Sequence, residues 1–163
     1  MNTLRIRGRA WTFGDDVDTD QIVPGAFLDA PIEEQSRHAF ESACPEFSRQ
    51  VGAGTVVVAG ANFGCGSSRE SAAEVLKHLG VAAVVAESFG RIFFRNAIAI
   101  GLPALACPGG TSDISRGDEV DVDLEGALVT NLTTRRTFGG VPLNEMMMSS
   151  LRKGGILKLL DER

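Results

Sequence analysis

Apolar residues follow two rhythms along the chain, and the change from one to the other divides it into a parallel and an antiparallel part. Thr55 to Ala59 (TVVVA) and Val81 to Ala86 (VAAVVA) are short apolar runs with glycine beside them, the signature of strands covered on both faces. Pro103 to Ala106 is a third, shorter run. Between the first two, Ala72, Val75, Leu76 and Leu79 recur at helical spacing within Ser71 to Leu79, and Gly80 ends that helix. Between the second and third, Ile92 to Ile100 predicts a helix stopped by Gly101. Strand, helix, strand, helix, strand implies parallel pairing with helical crossovers. Further on, Val120, Val122 and Leu124 alternate with Asp121 and Asp123, and Glu125-Gly126 makes a turn before Ala127 to Leu132, an antiparallel hairpin pattern.

At the other end, Leu4 to Phe13 alternates apolar and basic residues and predicts a strand running into the acidic turn Gly14-Asp15-Asp16. Pro31 to Phe47 reads as helical in parts, with Pro31 suited to a first turn. Pro142 to Leu151 predicts a last helix and Ile156 to Leu160 a closing strand. The fold class is α/β with a mixed parallel and antiparallel sheet. With neither internal repeat nor low-complexity linker, residues 1–163 are expected to form a single domain.

Composition narrows the function. A chain of 163 residues, 44% of them hydrophobic, can build a core that hides roughly 70% of its unfolded surface. A net charge of −5 argues against nucleic acid as a partner, and 6% aromatics without a tyrosine offer no base-stacking platform. No apolar run approaches the roughly 18 residues that a membrane span needs. Arg5, Arg7 and Arg9 have no apolar stretch behind them, so no targeting segment is expected. Cys44, Cys65 and Cys107 are odd in number and form no CxxC pair, which suits a reducing cytoplasm and predicts no metal site made by this chain alone.

The candidate chemistry is concentrated in GANFGCGSSRE, Gly60 to Glu70, which leaves a buried strand and enters a helix. Gly64 and Gly66 let the backbone bend and approach a ligand closely. Ser67 and Ser68 fall where free helix N-terminal N–H groups point outward and the dipole attracts anions. Arg69 adds a planar, permanently charged fork suited to a carboxylate or phosphate. Together they form an anion cradle. It is neither a dinucleotide fingerprint nor a P-loop, and Glu70 replaces the final glycine of a nucleophile elbow centred on Ser68. The plainer reading has Ser67 capping the helix with Glu70 as capping-box partner, and a cap residue can also face a ligand. The acidic stretch Asp15, Asp16, Asp18, Asp20 lacks the order of a calcium loop and reads as a solvated turn or as part of a site. Asp20, just before the apolar Ile22-Val23, is expected to be partly enclosed.

Three segments carry a family resemblance: GDDVDTDQIVPG at Gly14 to Gly25, GANFGCGSSRE at Gly60 to Glu70, and SFGRIFFRNAIAIGLP at Ser88 to Pro103. In order and spacing, with the intervening HAF and PEF segments, they resemble the aconitase family's swivelling domain, in the form found in 3-isopropylmalate dehydratase small subunits. The match covers most of Gly14 to Pro108. The resemblance implies a swivelling β/β/α domain in a hydro-lyase that dehydrates and rehydrates a small hydroxy-dicarboxylate in leucine biosynthesis. It implies a [4Fe–4S] cluster on a partner large subunit, with none bound by this chain. By the same resemblance Ser67 is the catalytic base, Asp20 helps orient the site, and Gly66, Ser68 and Arg69 bind substrate.

A serine hydroxyl is a very weak base unless its alkoxide is stabilised, and a glycine-rich nest, a helix N-terminus and an arginine all favour negative charge there. Phe27-Leu28-Asp29-Ala30 resembles the family's specificity loop, where homoaconitate enzymes tend to place arginine and isopropylmalate enzymes an uncharged residue; Asp29 matches neither. Asp29 is read as facing the substrate, turning to solvent or pairing with a base such as Arg37 where the substrate is a dicarboxylate, with capping of the helix near Pro31 as the alternative. Ser71 stands where the family usually has histidine. His38 and His78 read as helix-surface and helix-end residues, and Cys65 as a small filler or a reactive thiol. Arg91 and Arg95 face either the site or the partner, and Met146 to Met148 read as core or adaptable contact surface. Two rivals stand beside the main reading: the small subunit of homoaconitase or of another substituted-malate hydro-lyase, and a non-catalytic anion-binding or regulatory module.

Overall fold

The computed structural model describes residues 4–66 and 70–155. Its strands are β1 (Arg5–Thr12), β2 (Val56–Ala59), β3 (Ala83–Ala86), β4 (Ala104–Ala106), β5 (Glu119–Asp123), β6 (Leu128–Asn131) and β7 (Arg136–Gly139). They form one seven-stranded sheet in the order β4-β3-β2-β1-β5-β6-β7. β1 is the seam between the two rhythms of the sequence: Arg5 to Arg9 pair antiparallel with β5, and Ala10 to Thr12 pair parallel with β2. Its outward arginines meet acids on β5, Arg5 with Asp121 at 2.9 Å and Arg7 with Glu119 at 3.5 Å, opposite charges that reinforce the register.

Every residue of β2 and β3 is buried, as their unbroken apolar runs predict, and the two pair in parallel with β4 beyond them. The crossovers are α4 (Glu70–His78) and α5 (Arg91–Ile100), the latter stopped by Gly101 in the left-handed region. With α2 (Ile32–Arg37) and α6 (Glu145–Lys153) they pack side by side in the order α2-α4-α5-α6. Trp11, Phe13, Phe40 and Phe47 make one aromatic cluster beneath β1, and Phe63, Phe89 and Phe93 make another under the loops that follow β2 and β3. No helix among the described residues is long and apolar enough to cross a membrane.

Two local expectations change, at Pro31 and at the start of the last helix. The segment from Pro31 divides into α2 and the short α3 (Phe47–Gln50), separated by a turn in which buried Phe40 takes a left-handed φ of 57°. Pro31 is the N-cap of α2 and not part of its first turn. The last helix starts at Glu145, because Asn144 caps it by accepting from the Met147 N–H at 2.9 Å. β7 is an edge strand with no alternating apolar pattern. The Asn131 side-chain oxygen, accepting from the N–H groups of Thr133 and Thr134, makes the turn that brings β7 back along β6. The expected strand Ile156 to Leu160 lies outside the described residues.

Candidate active site

The strands β1, β2 and β3 end side by side, and the segments that leave them are laced together. Gly60 N–H donates to Gly14 C=O at 3.1 Å, Asp16 N–H to Ala61 C=O at 2.8 Å, Gly64 N–H to Val17 C=O at 2.7 Å and Thr19 N–H to Cys65 C=O at 2.9 Å. On the other flank, Ser88 Oγ accepts from Asn62 N–H at 2.8 Å, and Phe63 N–H donates to the Ser88 carbonyl at 3.0 Å. The glycine loop is therefore strung between two neighbours like an extra strand, which fixes its path up to Gly66.

The carboxylates of the acidic stretch have separate duties, so it is not merely a solvated turn. Asp15 accepts from Ala61 N–H at 2.7 Å, and Asp16 accepts from the Asn62 side-chain amide at 3.2 Å. Asp18 caps α1 (Thr19–Ile22) in a capping box with Gln21, its Oδ1 2.8 Å from Gln21 N. Asp18→Ala is expected to cost about 1 kcal/mol. A thermal melt should fall by about 2–4 °C, and Asp18→Asn should retain most of it. Asp20 lies in the first turn of α1 and is exposed, contrary to the enclosure read from the sequence: α1 turns Thr19 and Ile22 inward, which leaves Asp20 facing outward.

Two glycines make the loop possible. Gly64 has φ +80°, and a Cβ there would sit 2.3 Å from Phe93 Cγ. Gly66, at φ +99°, lies against the start of α1, its would-be Cβ 3.5 Å from Asp18 Cβ and 3.6 Å from Thr19 Oγ1. Ser67, Ser68 and Arg69, and with them the Ser67–Glu70 capping box, lie outside the described residues. The chain enters them beside the first turn of α1 and leaves them at Glu70, the first residue of α4.

Asp29 is exposed in the turn after the short 3₁₀ helix Gly25–Phe27. It does not cap α2, whose N-cap Pro31 makes no side-chain capping bond. Among the described residues it makes no ion pair, with Arg37 or any other base. The loop is held by its neighbours: Phe27 stacks on His38 at 3.7 Å, and the Gln35 amide donates to Leu28 C=O at 3.1 Å and Ala30 C=O at 2.9 Å.

Cys65 is half-buried, and burial, followed by the nearby Asp18 and Asp16 carboxylates, pushes its thiol up, which works against a thiolate nucleophile. Among the described residues no group of His, Cys, Asp and Glu could hold a metal ion. Arg91 and Arg95 are exposed on α5, flanking a shallow groove floored by Phe89, Phe94, Val141 and Met147. A cleft of about 380 Å³ over the ends of β1 and β2 includes Asp15 and Glu87 in its lining, an acidic setting unsuited to an anionic substrate.

Sequence reasoning gave no role to Ser88 or Gln35. Ser88 opens a motif that carried only the resemblance. Gln35 had a visible signal: Ile32, Gln35, Ser36 and Ala39 occupy the i, i+3, i+4, i+7 stripe, with polar residues where α2 should be apolar.

Known proteins match this geometry over nearly the whole chain. Residues 29–109 match the model of the aconitase C-terminal domain. The 3-isopropylmalate dehydratase small subunit 1 of Methanopyrus kandleri is 50% identical over 156 residues, 95% of this chain and 92% of that protein. The methanogen homoaconitase small subunit of Methanothermobacter thermautotrophicus is also 50% identical, over 93% of this chain and 88% of its own. A crystal structure of 3-isopropylmalate dehydratase from Methanocaldococcus jannaschii superposes with a TM-score of 0.91 at 40% identity, covering 98% of this chain and 95% of that one. The mixed sheet, the glycine loop and this end-to-end similarity together mean that the chain belongs to the aconitase family, among its dehydratase small subunits.

Proposed function

We propose that the chain is a single swivelling domain, residues 1–163, acting as the small subunit of a cytoplasmic 3-isopropylmalate dehydratase in leucine biosynthesis. The observation that carries this reading is the 50% identity to a named dehydratase small subunit over 95% of the chain. The laced loop, which seats Gly66 beside the start of α1, supports it. The described residues do not fit a metal centre, and in this reading the [4Fe–4S] cluster implied by the family is held by a large subunit.

In the proposed mechanism the substrate's carboxylate sits against Arg69, Ser68 and the backbone at Gly66, at the positive end of α4. Ser67 Oγ, as its alkoxide, takes the proton from the carbon bearing a carboxylate and becomes the neutral hydroxyl. The C–H electron pair becomes the new C=C bond as the hydroxyl leaves the adjacent carbon, taking a proton from solvent to depart as water. Return of water with the two positions exchanged converts 2-isopropylmalate to 3-isopropylmalate or the reverse. Negative charge building on the carboxylate during proton removal is what Arg69 and the helix N-terminus stabilise. Asp20, in the first turn of α1 beside Gly66, orients the site.

The Methanothermobacter relative favours a second reading, homoaconitase, at equal identity. Asp29 argues against it, because a carboxylate facing a third substrate carboxylate is repelled. With Asp29 exposed and not engaged in capping, it is available for that role. In the reconstituted enzyme, Asp29→Arg is expected to shift the kcat/KM preference from 3-isopropylmalate towards homoaconitate by at least about tenfold. A shift under about threefold means that residue 29 does not read the substrate.

A further inference from the structure

Helix α2 carries a polar side chain where burial would be served better by an apolar one. Gln35 is 5% exposed, and its Nε2 gives both protons to Leu28 C=O (3.1 Å) and Ala30 C=O (2.9 Å), the carbonyls on either side of Asp29. Among the described residues its Oε1 is buried without a hydrogen-bond partner. An orphaned buried acceptor is unfavourable, and leucine would fill a similar volume without one. Stability of α2 therefore does not account for glutamine at this position, whereas its two donors do something leucine cannot: they grip the loop tip from beneath. That tip has little burial of its own, with Leu28 37% exposed and Asp29 exposed. α2 in turn packs on α4, the helix that begins where Ser67–Arg69 end, so one side chain ties the loop to the frame of the candidate site.

We propose that Gln35 is a positioning residue for substrate discrimination, clamping residues 28–30 so that Asp29 is presented at a fixed place. The inference rests on the substrate-facing reading of Asp29 given under Proposed function. It is tested with Gln35→Leu, and with the unbranched Gln35→Met should the leucine variant not fold. Tm should stay within about 3 °C of wild type, because the two carbonyls can turn to water and an orphan oxygen is removed. Hydrogen exchange of the Ala30 amide, bonded to Phe27 C=O, should accelerate at least about tenfold in the chain alone.

In the reconstituted pair, KM for 3-isopropylmalate should rise at least about fivefold while kcat moves less than about twofold. The preference over homoaconitate should shrink in parallel. Unchanged exchange at Ala30 overturns the clamp. Faster exchange with unchanged KM and preference overturns its role in recognition, as does a fall in kcat alone. A wild-type pair that turns over no hydroxy acid refutes the functional reading and the recognition half of the inference, while the exchange measurement still decides the clamp independently.

Discussion

Replacing Ser67 by alanine should lower kcat of the reconstituted enzyme by at least about 10²-fold and leave KM within about twofold. The hydroxyl is assigned to the chemical step, and substrate binding to Arg69, Ser68 and the backbone at Gly66. Gly66 is seated beside Asp18 and Thr19 and α4 starts at Glu70, and a helix cap read from the sequence puts the cost of the substitution to stability at about 1 kcal/mol. Arg69→Lys should behave differently. It retains the charge and loses the fork, so KM should rise along with a fall in kcat. Near-wild-type turnover by Ser67→Ala would reduce Ser67 to a helix cap.

The second large effect is expected from a residue that does no chemistry. Gly64→Ala places a methyl group 2.3 Å from Phe93 Cγ and 2.4 Å from its Cβ, on a backbone with φ +80°. Left-handed geometry costs an alanine roughly 1–2 kcal/mol, and the forced repacking of a buried ring adds about 1–3 kcal/mol. The sum, about 2–5 kcal/mol, is a large fraction of the stability of a domain and should lower Tm by about 10 °C. Gly139→Ala is the control: its Cβ meets nothing within 4 Å, and its melting temperature should move by less than about 2 °C. Equal melting of the two variants would mean that Phe93 can move aside and that the loop does not depend on glycine at 64.

The parallel half of the fold was legible because its strands are covered on both faces and their apolar runs carry the whole signal, as in Val56 to Ala59 and Ala83 to Ala86. β7 was not legible, since an exposed edge strand made by the Asn131 turn has no hydrophobic period to read. The glycine loop could be placed from its strand-to-helix position, but its lacing could not: Asp15 and Ala61 are far apart in sequence and meet only because β1 and β2 are paired. The same long-range pairing gives Asp15 and Asp16 their partners on the glycine loop, whereas Asp18 caps α1 within its own turn. Gln35 breaks the apolar stripe of α2, a signal present in the sequence whose meaning shows only in its two bonds to the Leu28 and Ala30 carbonyls.

In the proposed mechanism this chain supplies the base and the carboxylate-binding face of a hydro-lyase and works only with a large subunit. The most direct measurement is the interconversion of 2- and 3-isopropylmalate by the purified chain, by a cluster-loaded large subunit, and by the two mixed under anaerobic conditions. No turnover is expected from either component alone, and turnover in the mixture should rise with added chain until the large subunit is saturated. Robust turnover by the purified chain alone, or none by the mixture with any substituted malate, would contradict this mechanism.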